Sequence, residues 1–194
     1  MSGLSQSPRK LLKVTEAIGA VFIFFAGAAL HFTFEWSGHN VFVGLFSAVN
    51  ESVWEHLKLA YFPAVWLGLV QYALLRKHYP NFFAGKATGV FSVPVIIVVG
   101  FYGYQAIFRS HNLAYDIGLF VFSVVVGQFV SYKMVVKYGN RSPPQLLPVI
   151  ALAAYAVAFF AFTFEPPRLE PFRDPITGEY GIHAALHHHH HSGH

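Results

Sequence analysis

The chain has 194 residues, 13 Lys+Arg against 9 Asp+Glu for a net charge of +4, and no Cys. Apolar residues make up 55% of it and charged residues 11%; soluble domains carry roughly 25% charged residues, so an ordinary soluble enzyme and a nucleic-acid-binding module are both excluded. Without Cys there is no disulfide framework, no thiolate zinc knuckle and no Cys nucleophile.

Residues 1–13 form a short basic amino-terminal segment. The first apolar stretch is Val14–Phe34. A helix needs about 20 apolar residues to cross a bilayer. This stretch is too long for a cleavable signal core and lacks a small-residue exit, so it reads as a retained span. Val41–Val49 is apolar, contains Gly44 and is too short to span, which predicts a short interfacial or re-entrant helix. One straight helix over 40–75 would reach about 50 Å, so the chain must bend before a second span at Leu57–Leu75. Asn50 is the expected helix cap there, and Pro63 the expected kink. Further spans follow at Val90–Phe108, Ile117–Val136 and Leu146–Phe164. The fold class is therefore all-α, a polytopic membrane bundle of five transmembrane helices over 14–164. Beyond it, 165–182 is a Pro-rich arm, read either as disordered or as a lid that buries Phe172, Tyr180 and Ile182. Residues 183–194 are a His-rich tail or tag.

The charges sort by position. Arg9, Lys10, Lys13, Arg76, Lys77, Lys86, Lys133, Lys137 and Arg141 fall on one side of the five spans, with only Arg109, Arg168 and Arg173 opposite and Lys58 at the start of a span. The positive-inside rule then places the amino terminus in the cytoplasm and the carboxyl terminus outside. These cations also suit contact with anionic membrane lipids. Glu16 lies three residues after Lys13, a spacing that predicts a surface ion pair. The other acids, with His31, His39, His56 and His111, gather toward the opposite, extracytoplasmic face.

The densest polar run is Asn50-Glu51-Ser52-Val53-Trp54-Glu55-His56-Leu57-Lys58. On a helix Glu51, Glu55 and Lys58 share one face, and Ser52 and His56 an adjacent one. Span one ends with His31 and Glu35, also four residues apart. Ionisable groups at the mouth of apolar helices are costly unless paired or hydrated, and they mark candidate sites. Imidazole with carboxylate suits zinc. His31 and His56 are the expected nitrogen ligands, with Glu35 or Asp116 as the third. Glu51 or Glu55 is the expected general base, Ser52 a supporting group, and Lys58 a partner for developing negative charge. Three alternatives stay open: proton or divalent-metal transport, haem ligation by two His, and a non-catalytic assembly protein. The odd span count and the absence of a detectable repeat weigh against an inverted-repeat transporter.

Ser52-x-x-x-His56 at the start of a span resembles the Ser-x-x-x-His element of alkaline-ceramidase and progestin-receptor-like membrane hydrolases. The resemblance implies zinc ligation by His56, support of the activated water by Ser52, Asp116 as the counterpart of a separate Asp, and a lipid-like substrate. Those proteins have seven spans and a His-x-x-x-His in the last, whereas span five here ends Phe162-Thr163-Phe164-Glu165 without His. A wider pattern includes His31-x-x-x-Glu35-Trp36, the 50–58 run, and Asp174-Pro175-x-Thr177-Gly178-x-Tyr180-Gly181. It is similar to an uncharacterised family of small prokaryotic multi-pass membrane proteins and implies no particular mechanism.

Overall fold

A computed structural model describes residues 7–110, 112–138 and 145–183. Among them the chain is all-α, with helices α1 Pro8–Trp36, α2 Val41–Gly44, α3 Val53–Leu75, α4 Phe82–Phe108, α5 Leu113–Tyr138 and α6 Leu146–Phe164. All but α2 are long and apolar enough to cross a membrane. Helix α6 coincides with its predicted span, whereas α1, α3, α4 and α5 overrun theirs, furthest at the start of α4, which begins at Phe82 instead of Val90. Apolarity marks where lipid lies, but a helix continues for as long as its backbone bonds and packing support it. Pro8 suits a first helical turn, and the Ser7 hydroxyl accepts from Lys10 N–H at 3.4 Å. The chain forms two compact units, one of Met1–Phe24 and Ala64–Ala151, the other of Phe25–Pro63 and Leu152–His194.

In the first unit α1 presents a buried stripe of Leu12, Glu16, Gly19 and Ile23, which is helical spacing. Gly85 and Gly89 of α4 face Gly127 and Ser131 of α5. A Cβ on Gly89 would lie 2.5 Å from the Gly127 carbonyl oxygen, and one on Gly85 would strike the backbone of Val135. The two backbones thus touch, as small residues four apart permit in lipid.

Glu16 does not pair with Lys13 at the surface. It is 3% exposed, and its carboxylate accepts from Lys86 Nζ at 2.9 Å and from the Ser131 hydroxyl at 2.7 Å. Lys86, expected among the loop cations, is 1% exposed and also donates to Gln128 Oε1 at 3.2 Å. Gln128 closes the ring by donating to the Glu16 carbonyl at 3.3 Å. Gln71 donates to the Thr15 hydroxyl at 3.3 Å. Burying two charges is tolerable because each has its opposite and the remaining lone pairs find donors.

In the second unit α1 stops in a Schellman motif. Gly38, at φ 68°, donates to the Glu35 carbonyl, and His39 donates to that of Phe34; the left-handed position is natural to Gly. Asn40, not Asn50, is an Asn cap, its Oδ1 accepting from Phe42 N–H at 2.9 Å and Val43 N–H at 3.4 Å at the head of α2. The start of α3 is capped by Ser52, whose hydroxyl accepts from Glu55 N–H at 3.3 Å. Asn50 instead forms a turn, Oδ1 accepting from Ser52 N–H at 2.9 Å.

Of the two readings of the arm, packing over α3 prevails through 182. Trp54 is enclosed by Phe159, Phe162 and Phe172. Asp174 is buried and ties a turn by accepting from Ile176 N–H and the Thr177 hydroxyl. Ile182 packs with Phe34 and Val49. The His-rich residues from 184 onward, and His111, lie outside the described residues.

Candidate metal centre

Three side chains from two helices and a loop converge in the second unit. His31 Nε2 is 4.0 Å from Glu51 Oε1, and His56 Nε2 is 3.4 Å from Glu51 Oε2. The two imidazoles stand 5.0 Å apart, centre to centre. One ligand atom from each of the three lies within 4.8 Å of the others. Ligands on one tetrahedral zinc, at about 2.1 Å each, sit about 3.4 Å from one another, so small side-chain rotations would bring the three onto one ion.

The local fold explains why they meet. Ser47 Oγ wedges into α1 around His31. It accepts from Phe34 N–H at 3.1 Å and from the Thr33 hydroxyl at 3.0 Å, and donates to the Leu30 carbonyl. Loop 45–52 is thereby fixed against the helix turn that carries His31. His56 lies on the first turn of α3, its Nδ1 2.9 Å from the Ser52 carbonyl. A carbonyl only accepts, so Nδ1 carries a proton, and Nε2 is the ring atom turned toward Glu51. That outward hydrogen bond is the arrangement that orients and strengthens a metal-ligating imidazole. Side-chain exposures of 30% for His31, 34% for His56 and 43% for Glu51 leave the group open to solvent.

The other candidate residues are placed differently. Glu35 is exposed near the end of α1, one turn beyond His31, and is not among the three converging donors. Asp116 belongs to the first unit, in the opening turn of α5, where a carboxylate suits the positive helix end. Glu55 and Lys58 are buried against one another, Oε2 to Nζ at 2.6 Å. Lys58 Nζ also donates to the Thr163 hydroxyl at 2.6 Å, the Gly44 carbonyl at 3.1 Å and the Ser47 carbonyl at 3.4 Å. Glu55 Oε2 accepts further from Val49 N–H at 3.1 Å. This pair joins loop 44–49 to α3 and α6, and Lys58 is 0% exposed. Ser52 is likewise occupied as a cap. Thr163, Ser47 and Asn50 carry the scaffold of the site; nothing in their spacing singles them out, although Ser52-x-x-Glu55 has the spacing of a capping box.

No curated protein and no solved structure matches the chain. A family model does match, over residues 6–182. It takes in both buried ion pairs, the His–Glu–His group and the packed arm through Ile182. The chain belongs to that family, DUF6512, a family of unknown function.

Proposed function

We propose that this multi-pass membrane protein is a zinc-dependent hydrolase acting on a lipid-like substrate from the extracytoplasmic face. The observation that carries the reading is the open His31–Glu51–His56 group, with the His56 Nδ1 proton committed to the Ser52 carbonyl. Zinc, when bound, acidifies water and polarises a carbonyl or phosphoryl oxygen. His31, Glu51 and His56 hold the ion. With Glu51 a ligand and Glu55 sealed against Lys58, the base role passes to Glu35, exposed on the same face of α1 as His31. Phe32 and Trp36 stack at 5.7 Å and are both exposed, with Phe32 also against His31. An aromatic ledge beside a polar centre suits a substrate with a hydrophobic chain and a polar head. Arg9, Lys10 and Lys13 in the opening turns of α1, Arg76 and Lys77 just after α3, and Lys133 and Lys137 near the end of α5 support a cytoplasmic amino terminus.

The test uses full-length protein in which His187–His191 and His194 are each replaced by Ser, so that the tail does not collect metal. Near-stoichiometric zinc is expected, lost in His56→Ala, together with zinc-dependent cleavage of one member of a panel of fluorogenic lipid esters, amides and phosphodiesters. Absence of zinc after loading overturns the metal reading. Bound zinc with no cleavage, but with zinc flux across proteoliposomes, replaces hydrolysis by transport.

A further inference from the structure

We infer that Asn50 is a positioning residue for the metal centre and that the carboxyl-terminal arm, through Gly181, holds the Glu51 ligand in place; this rests on the metal reading above. Asn50 is 9% exposed and uses both ends of its amide. Oδ1 accepts from Ser52 N–H at 2.9 Å, which shapes the turn, and Nδ2 donates to the Gly181 carbonyl at 2.9 Å. Glu51 is the residue between these two anchored neighbours. It is the only one of the three ligands outside a helix, so its backbone position depends on contacts of this kind.

The acceptor is itself fixed. Gly181 sits at φ 61°, and a Cβ there would lie 2.8 Å from the Thr163 carbonyl oxygen and 3.0 Å from Pro166 Cδ. The next residue donates back, Ile182 N–H to the Thr163 carbonyl at 2.8 Å, and its side chain is buried against Phe34 and Val49. Phe34 belongs to α1 one turn beyond His31, and Val49 to the loop that leads to Glu51. The arm therefore touches the supports of two ligands from one short stretch, 181–182. Further back, the Asp174 turn and the Arg173–Tyr180 bridge give that stretch a defined conformation. Groups that orient metal ligands change metal affinity by about 10- to 100-fold when removed.

The experiment compares full-length variants in the background with the tail His residues replaced by Ser. Asn50→Ser retains a short side-chain acceptor for Ser52 N–H but cannot reach Gly181. Gly181→Ala displaces the acceptor and leaves Asn50 intact. Neither alters His31, Glu51 or His56. Zinc dissociation constants are measured by chelator competition, and the visible absorption of bound cobalt reports ligand geometry. Both variants are expected to weaken zinc about 10-fold or more and to shift the cobalt spectrum, while Ile176→Ala, at an exposed turn position of the same arm, changes neither. If the parent protein binds neither metal, the metal reading fails and the inference with it. If the parent binds zinc and both variants bind it equally with unchanged spectra, the inference alone is overturned, even where their melting temperatures fall. If one variant does not fold, the other decides.

Discussion

His56 Nε2 faces Glu51 Oε2 at 3.4 Å, while the other nitrogen of the same ring meets the Ser52 carbonyl at 2.9 Å. The imidazole is thus held by its own helix on one side and offered to a carboxylate on the other. The first expectation follows from that division of labour. His56→Ala removes one ligand and should abolish stoichiometric zinc. Glu51→Gln retains shape but loses charge and should weaken zinc by at least 10-fold. Glu35→Gln should leave zinc content unchanged and lower turnover. Elemental analysis of the protein with its tail His residues replaced, alongside lipid-substrate assays, separates the three.

Lys58 and Glu55 should behave as structure. Lys58→Met would leave the Glu55 carboxylate buried without its ammonium, and would strip a donor from Thr163 and the loop carbonyls. Breaking one partner of a buried pair costs about 3–5 kcal/mol. Replacing both, Glu55→Gln with Lys58→Met, should recover much of that loss. Thermal unfolding in detergent checks this; a lone Lys58→Met as stable as the parent would contradict it.

The Glu16–Lys86 pair in the first unit gives a parallel case with a different readout. Glu16→Gln and Lys86→Met should each destabilise strongly, and the double variant less than their sum. The coupling energy should reach about 1–3 kcal/mol, the upper range for residues in one hydrogen-bond network. Had Glu16 paired with Lys13 on the surface, the coupling to Lys86 would be near zero, and a Glu16/Lys13 cycle would show a few tenths of a kcal/mol instead.

The α4–α5 contact predicts opposite signs for two Gly→Ala changes on one helix. At Gly103 an added Cβ meets nothing within 4 Å, so the helix gains about 1 kcal/mol of intrinsic preference. At Gly89 it meets the Gly127 carbonyl oxygen at 2.5 Å and the Ser131 Cβ at 2.6 Å, and overpacking of about 1–3 kcal/mol outweighs that gain. Melting temperatures should rise for Gly103→Ala and fall for Gly89→Ala.

The five membrane helices, the bend before α3 and the polar mouth of that helix were all legible in the order of residues, because lipid selects long apolar runs and charges inside them stand out. His31 and His56 were legible for the same reason, as scarce imidazoles at two span ends. Part of what was missed also left a trace. Glu16 falls in register with Leu12, Gly19 and Ile23, and Lys86 sits between Gly85 and Gly89 on the packed face of α4. A charge on the apolar stripe of a helix forecasts a buried partner, yet periodicity cannot say on which other helix that partner stands.

Which carboxylate joins the two His was decided only in three dimensions. The order of residues pointed to Glu35 or Asp116 as the third ligand and to Glu51 or Glu55 as the base, whereas it is Glu51 that lies within reach of both imidazoles. The tertiary structure seals Glu55 against Lys58, sets Asp116 in the other unit, and brings Glu51 between the imidazoles through contacts from Ser47, Asn50 and Gly181. Spacing along one helix fixes which residues share a face. Long-range hydrogen bonds, such as that joining Asn50 to a residue 131 positions away, fix which faces meet, and the candidate centre depends on the second.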